Sequence, residues 1–115
     1  MKKHELVRQY AAGERSFILL SLHREDLSGI DLSHANLSGS DLREVDFSNA
    51  NLTAATLRRA DMKGANLCGT DLTGADLHMA DLASATLEGA RVTPEQLAKT
   101  KSLEGAILPD GTRNE

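Results

Sequence analysis

The sequence has no tryptophan, one tyrosine and two phenylalanines in 115 residues. Spherical cores lean on aromatic side chains because each buries a large area. A chain that is 40% hydrophobic but 3% aromatic instead suggests a narrow interior of uniform cross-section, filled by Leu and Ala. A single cysteine, Cys68, excludes an internal disulfide. The longest apolar run, Phe17-Ile18-Leu19-Leu20, is far too short for a membrane span. The basic start Met1-Lys2-Lys3-His4-Glu5 is not followed by the apolar stretch of a signal peptide. A soluble, unprocessed, cytoplasmic protein is expected. Basic charge is also short: the net charge is −4 and the isoelectric point about 5.5. That argues against nonspecific binding to nucleic acid or anionic membrane, which needs a basic footprint.

What the sequence does have is a period of five. Stepping from Leu22 meets Leu27, Leu32, Leu37, Leu42, Phe47, Leu52, Leu57, Met62, Leu67, Leu72, Leu77, Leu82, Leu87 and Val92, 15 consecutive apolar hits. In a chain that is 40% apolar, chance gives such a run about once in a million. Two residues before the large apolar residue stands Ala in nine units, and one residue before it stands Asp or Asn in 11. The two residues after it are mostly polar or Gly. Neither the 3.6 period of a helix nor the 2.0 of a long strand accommodates this pattern. A five-residue unit places one large and one small apolar residue inward along a side and then turns a corner. Gly29, Gly39, Gly64, Gly69, Gly74 and Gly89 supply permissive backbone there.

The units Ala35-Asn36-Leu37-Ser38-Gly39 and Ala75-Asp76-Leu77-His78-Met79 resemble those of the pentapeptide-repeat family, and the resemblance covers about two thirds of the chain. It implies an all-β solenoid, a right-handed quadrilateral β-helix with four pentapeptides and twenty residues per coil. The segment Glu5 to Phe17 is also similar to the leader preceding many cyanobacterial members. Residues 20–94 then give about four coils, roughly 18 Å tall at a strand spacing of about 4.8 Å. The expected organisation is a capping helix and entry at 1–19, the β-helix at 20–94, and a helix, partial coil and polar tail at 95–115.

Such a stack needs closed ends, because exposed edges invite association. Residues 3–12 read as a short helix with Leu6, Val7, Tyr10 and Ala11 on its apolar face. Phe17 lies five before Leu22 and so on the repeat phase. Glu25, Leu20 and Ile30 occupy the small-residue column and predict an irregular first coil packed against that helix. At the other end Thr93 reads as an N-cap, Pro94 as the first helical residue and Gln96 as the partner in a capping box, with the helix running to about Lys101. Leu103 and Leu108 resume the five-step one residue out of phase with Val92, up to the Pro109-Asp110-Gly111 turn. Both ends read as closed, favouring a monomer.

Twenty residues per coil also fixes surface columns. Asp41, Asp61 and Asp81 form an acidic ladder beside His23, Arg43 and Lys63. Ser33, Thr53, Thr73 and Thr93 form a hydroxyl ladder. Rows of Asp invite comparison with the paired carboxylates of hydrolases, but a catalytic pair needs two different environments, and here the Asp recurs at one repeat position. It reads as a solvated residue satisfying backbone at each corner. His4, His23, His34 and His78 show no metal-ligand spacing, Cys68 reads as an exposed thiol, and no phosphate-binding loop is present. No cofactor is expected.

The function read from this pattern is a non-enzymatic scaffold or interaction module. Its candidate protein-binding surface comprises Arg43, Lys63, Asp41, Asp61, Asp81, Arg58 and Arg59. The alternative, implied by resemblance to longer dimeric relatives, is a DNA mimic that binds the type II topoisomerase gyrase. An enzyme is the remote third reading.

Overall fold

The computed structural model describes residues 1–115, which form a rod of 40 × 22 × 20 Å. No continuous strand is needed to build it. Single residues pair in parallel with the residue twenty further on, from Ser16 with Asn36 to Asp71 with Arg91. Each pairing is held by bonds running both ways along the stack. The Leu22 N–H donates to the Asp41 carbonyl at 2.9 Å, for example, and the Asp41 N–H to that of Leu20 at 2.8 Å. Four pentapeptides therefore make one coil. Face 1 holds residues 20–24 and those twenty and more beyond, face 2 holds 25–29, face 3 holds 30–34, and face 4 holds 35–39 together with 15–19 before them.

The corners follow from the five-residue unit. After each inward Leu the chain reverses through a tight turn, closed by a bond such as Ala35 N–H to the Leu32 carbonyl at 3.0 Å. The third turn residue has φ near +60°, a conformation glycine adopts freely. Six repeat corners use Gly, but Leu19, Arg24, His34, Glu44, Asn49, Ala54, Arg59, Met79 and Ser84 hold the same conformation. Roughly 1–2 kcal/mol of steric cost accompanies each non-glycine residue there.

The Asp/Asn column does a defined job. In all 11 units its Oδ1 accepts the backbone N–H two residues on, at 2.9–3.2 Å. This satisfies a donor that the corner would otherwise leave unpaired. The hydroxyl of Ser33, Thr53 or Thr73 donates to the same oxygen, so the hydroxyl ladder completes the turns.

The interior is one cluster of 27 residues. Fourteen of the fifteen repeat positions are buried, and Val92 is half-buried. Ser40 and Thr70 stand in the Ala column, and their hydroxyls donate to the carbonyls of Phe17 and Phe47.

Helix α1 spans Lys3–Ala11 and lies across the open floor of the first coil. Leu6 is buried and Tyr10 half-buried, four residues apart on one face. Val7 and Ala11, expected on that face, are exposed: they sit about 100° and 140° around the helix from Leu6. Glu25 breaks the Ala column because its carboxylate accepts the Lys3 N–H at 2.9 Å, serving a helix whose N-cap, Lys2, makes no side-chain bond.

Helix α2 spans Pro94–Ala98 with the full capping box of Thr93 and Gln96. It stops three residues before the expected Lys101, because the Lys101 N–H must rejoin the ladder on the Ala80 carbonyl at 2.7 Å. From there the pairing offset is 21: Asp81 pairs with Ser102 and Thr86 with Ile107. The turn at 109–111 then sends residues 112–114, within the expected polar tail, back antiparallel along 105–108. No helix is long and apolar enough to cross a membrane.

Candidate functional site

The candidate surface lies on faces 1 and 4 and around the corner joining them. On face 1, stacking turns the expected acidic ladder into an alternating one. Arg43 grips Asp41 with two bonds of 2.8 Å and lies 3.9 Å from Asp61. Lys63 is 3.2 Å from Asp61 and 3.5 Å from Asp81. Each base therefore sits between two aspartates of successive coils. The Arg43 guanidinium holds the Asp41 carboxyl down to about 2, and the hydrogen bond to Asp61 raises Lys63. Asp81 is 8% exposed, the least of the three. His23 and Arg24 flank the Glu44 carboxylate at 3.7 and 3.3 Å.

Arg58 and Arg59, adjacent in sequence, part company. Arg58 Nε donates to Asp76 Oδ2 on face 4. Burial alone would push Asp76 up, but the His78 N–H and Arg58 together hold it below the ordinary carboxylate range. Arg59 occupies the corner at φ +59°, has no carboxylate within 4 Å, and borders a shallow depression with Asp61, Lys63, Met79, Asp81 and Lys101. All seven predicted surface residues thus fall on adjoining faces.

Sequence reasoning missed the apolar members of this corner. Ile18, Leu19 and Met79 are exposed to 47, 76 and 39%. They occupy outward positions filled elsewhere by polar residues, Gly, Ala or Cys, and a large apolar side chain there is the signal that could have found them. Cys68 is half-buried, not exposed, with its Sγ 3.4 Å from Thr86 Oγ1. No group of three His, Cys, Asp or Glu side chains is arranged to hold a metal.

Charge is divided by face. Faces 2 and 3 of the repeats carry Glu25, Asp26, Asp31, Asp46, Asp71 and Glu88 against Arg91 alone, net −5. Within residues 20–94, faces 1 and 4 carry Asp41, Glu44, Asp61, Asp76 and Asp81 against Arg24, Arg43, Arg58, Arg59 and Lys63, net zero. The ladder can therefore present fixed, alternating charges to a surface laid against it.

The family profile "Pentapeptide repeats" matches in eight copies over residues 26–64 and 50–89. The crystal structure of HetL, a pentapeptide repeat protein involved in heterocyst differentiation regulation from the cyanobacterium Nostoc sp. strain PCC 7120, is 40% identical. It superposes with a TM-score of 0.80, covering 94% of this chain and 43% of HetL. The chain thus spans less than half the length of that relative. The alr5209 protein of Nostoc PCC 7120, another pentapeptide repeat protein, is 36% identical with a TM-score of 0.77, covering 77% of this chain and 74% of its own. No curated protein sequence matches. Chains of this repeat fold as right-handed quadrilateral β-helices and are in general structural or interaction modules, not enzymes.

Proposed function

Because the chain belongs to the pentapeptide-repeat family, we infer that it is a non-enzymatic, monomeric docking scaffold of about four coils that binds a protein through faces 1 and 4. The observation that carries this reading is the alternating ladder Asp41, Arg43, Asp61, Lys63, Asp81. Backbone pairing on both sides fixes its rows, so its charges need little reordering on binding, and preorganisation of that kind favours specific association. Helices α1 and α2 act as caps that limit end-to-end stacking. HetL is involved in heterocyst differentiation regulation, and a regulatory role exerted by protein binding is the reading extended to this chain.

Affinity purification from the host, comparing wild type with Arg43→Glu/Lys63→Glu, tests it. One or a few proteins should be retained by wild type and lost by the variant. Retention of the same set by both would overturn the assignment of this surface.

The acidic faces 2 and 3 give the gyrase-binding DNA mimic its one supporting observation. Magnitude weighs against it: the chain carries a net −4 over 40 Å, about one charge per 10 Å, whereas duplex DNA carries one per about 1.7 Å. A supercoiling assay decides it, since inhibition of gyrase at low micromolar protein would favour the mimic.

A further inference from the structure

The corner between faces 4 and 1 carries a pattern that the charged ladder does not explain. Leu19, Gly39, Arg59 and Met79 stack there in successive coils, all at φ between +57 and +67°. Leu19 and Met79 are doubly misplaced. Their backbone conformation suits glycine, and their side chains are exposed. Gly at either position would relieve the strain and remove apolar surface from water. Three of the four exposed large apolar residues of the chain, Ile18, Leu19 and Met79, cluster on this one edge.

The surroundings are shaped to match. A Cβ on Gly39 would come within 2.7 Å of Leu19 Cδ2, so the leucine lies flat over the glycine of the next coil. Ile18, Leu19 and Gly39 line an open depression of about 390 Å³ that ends at Arg59. On the far side of Arg59 lies the second depression, of about 210 Å³, lined by Met79 and Lys101 and also by Asp61 and Asp81, whose carboxylates Lys63 already engages. Neither Arg59 nor Lys101 has a carboxylate within 4 Å, while Arg58 and Lys63 beside them are already paired. The edge thus reads apolar, cationic, apolar over three coil steps, roughly 14 Å at a spacing of about 4.8 Å.

We propose that this edge binds an extended, acidic, amphipathic peptide segment of a partner protein. One apolar side chain seats over Leu19 and Gly39, a carboxylate meets Arg59 and Lys101, and a second apolar side chain seats on Met79. An extended segment rises about 3.3 Å per residue, so the apolar anchors are about four residues apart with an Asp or Glu between them. The proposal rests on the docking-scaffold reading and names the chemistry of the partner.

A random-peptide phage library panned on the full chain tests it, with affinities of recovered peptides measured by fluorescence polarisation. Recovered sequences should share an acidic residue between two apolar ones. Affinity should fall roughly tenfold or more in Arg59→Glu, where an attractive contact becomes a repulsive one, and comparably in Leu19→Gly. Leu19→Gly should melt no lower than wild type, which separates lost contact from lost folding. Basic or absent consensus sequences, or affinities unchanged in both variants, would overturn the proposal. So would concentration-dependent self-association of wild type that Leu19→Gly abolishes, since the occupant would then be a second copy. If host proteins are lost on ladder reversal but kept by the corner variants, the scaffold reading stands and this one fails.

Discussion

The two ends of the rod solve the same problem by different means. At the amino-terminal end the inward residues of the first coil, Phe17, Leu22, Leu27 and Leu32, are all buried beneath α1. At the carboxyl-terminal end their counterparts Val92, Leu97, Leu103 and Leu108 are all half-buried. Backbone groups show the reverse emphasis. The last rungs are closed by a helix, a fold-back of residues 112–114, and two amide side chains. Gln96 Nε2 donates to the carbonyls of Leu72 and Ala75, and Asn114 Nδ2 donates to that of Leu103. The first coil receives fewer such bonds, among them Tyr10 hydroxyl to the Ser33 carbonyl and the terminal amino group to that of Ser21. Sealing a solenoid therefore comprises two separable tasks, covering apolar side chains and pairing backbone. One end favours the first and the other the second.

This contrast makes ordered predictions for urea unfolding. Leu6→Ala should cost the most, about 2–5 kcal/mol, because it opens a fully buried site between helix and coil. Leu97→Ala at the opposite end should cost clearly less, since its side chain already meets water; equal losses would erase the distinction. Gln96→Ala removes half of the capping box and two bonds to ladder carbonyls, and should cost about 1–3 kcal/mol. Tyr10→Phe removes only the hydroxyl, with its bonds to the Ser33 carbonyl and hydroxyl at the helix-covered end, and should cost about 1 kcal/mol. Ala54→Gly lies at a corner remote from both ends, with φ +57°, and should stabilise by up to about 1 kcal/mol.

The smallest effect is one of pH. Asp41 is lowered from 3.8 to about 2 in the folded chain. The unfolded state binds the proton first as acid is added, so the stabilisation from this pair is complete above about pH 5 and fades progressively as the pH falls through 3.8 to below 2. Asp41→Asn should flatten that part of the acid limb in a pH-dependent thermal melt and leave both ends untouched.

Much of this was legible because a five-residue period leaves few alternatives for the chain. Leu22 through Leu87 could be assigned to the interior from spacing alone. The capping box at Thr93 and Gln96 was readable because its mechanism is local. The offset of Leu103 and Leu108 was readable as a number. What the pattern could not give was anything set by contacts between coils or with the helices. Val7 is indistinguishable from Leu6 until the helix is laid on the stack. Glu25 reads as a flaw in the Ala column until Lys3 is brought to it. The candidate surface was half visible: its charges stood out as columns, but the acidic ladder was neutralised by bases lodged between its own rows. Leu19 and Met79 were hidden among outward positions because a periodic template records what it matches and passes over the exceptions.

The slip of one residue after α2 has a consequence for how such a chain tolerates changes in length. Within the coils every residue keeps a reading frame of five, and adding or losing one would rotate all later side chains off their faces, Leu outward and Asp inward. Residues 94–100 break that frame and let it restart. Asp81 faces Ser102 and Thr86 faces Ile107, with the extra residue absorbed in the helical segment, outside the five-residue repeat. Short insertions in this segment should therefore be accepted with the downstream rungs still in place, whereas the same insertion at any corner between Gly29 and Gly89 would shift the frame for the rest of the chain.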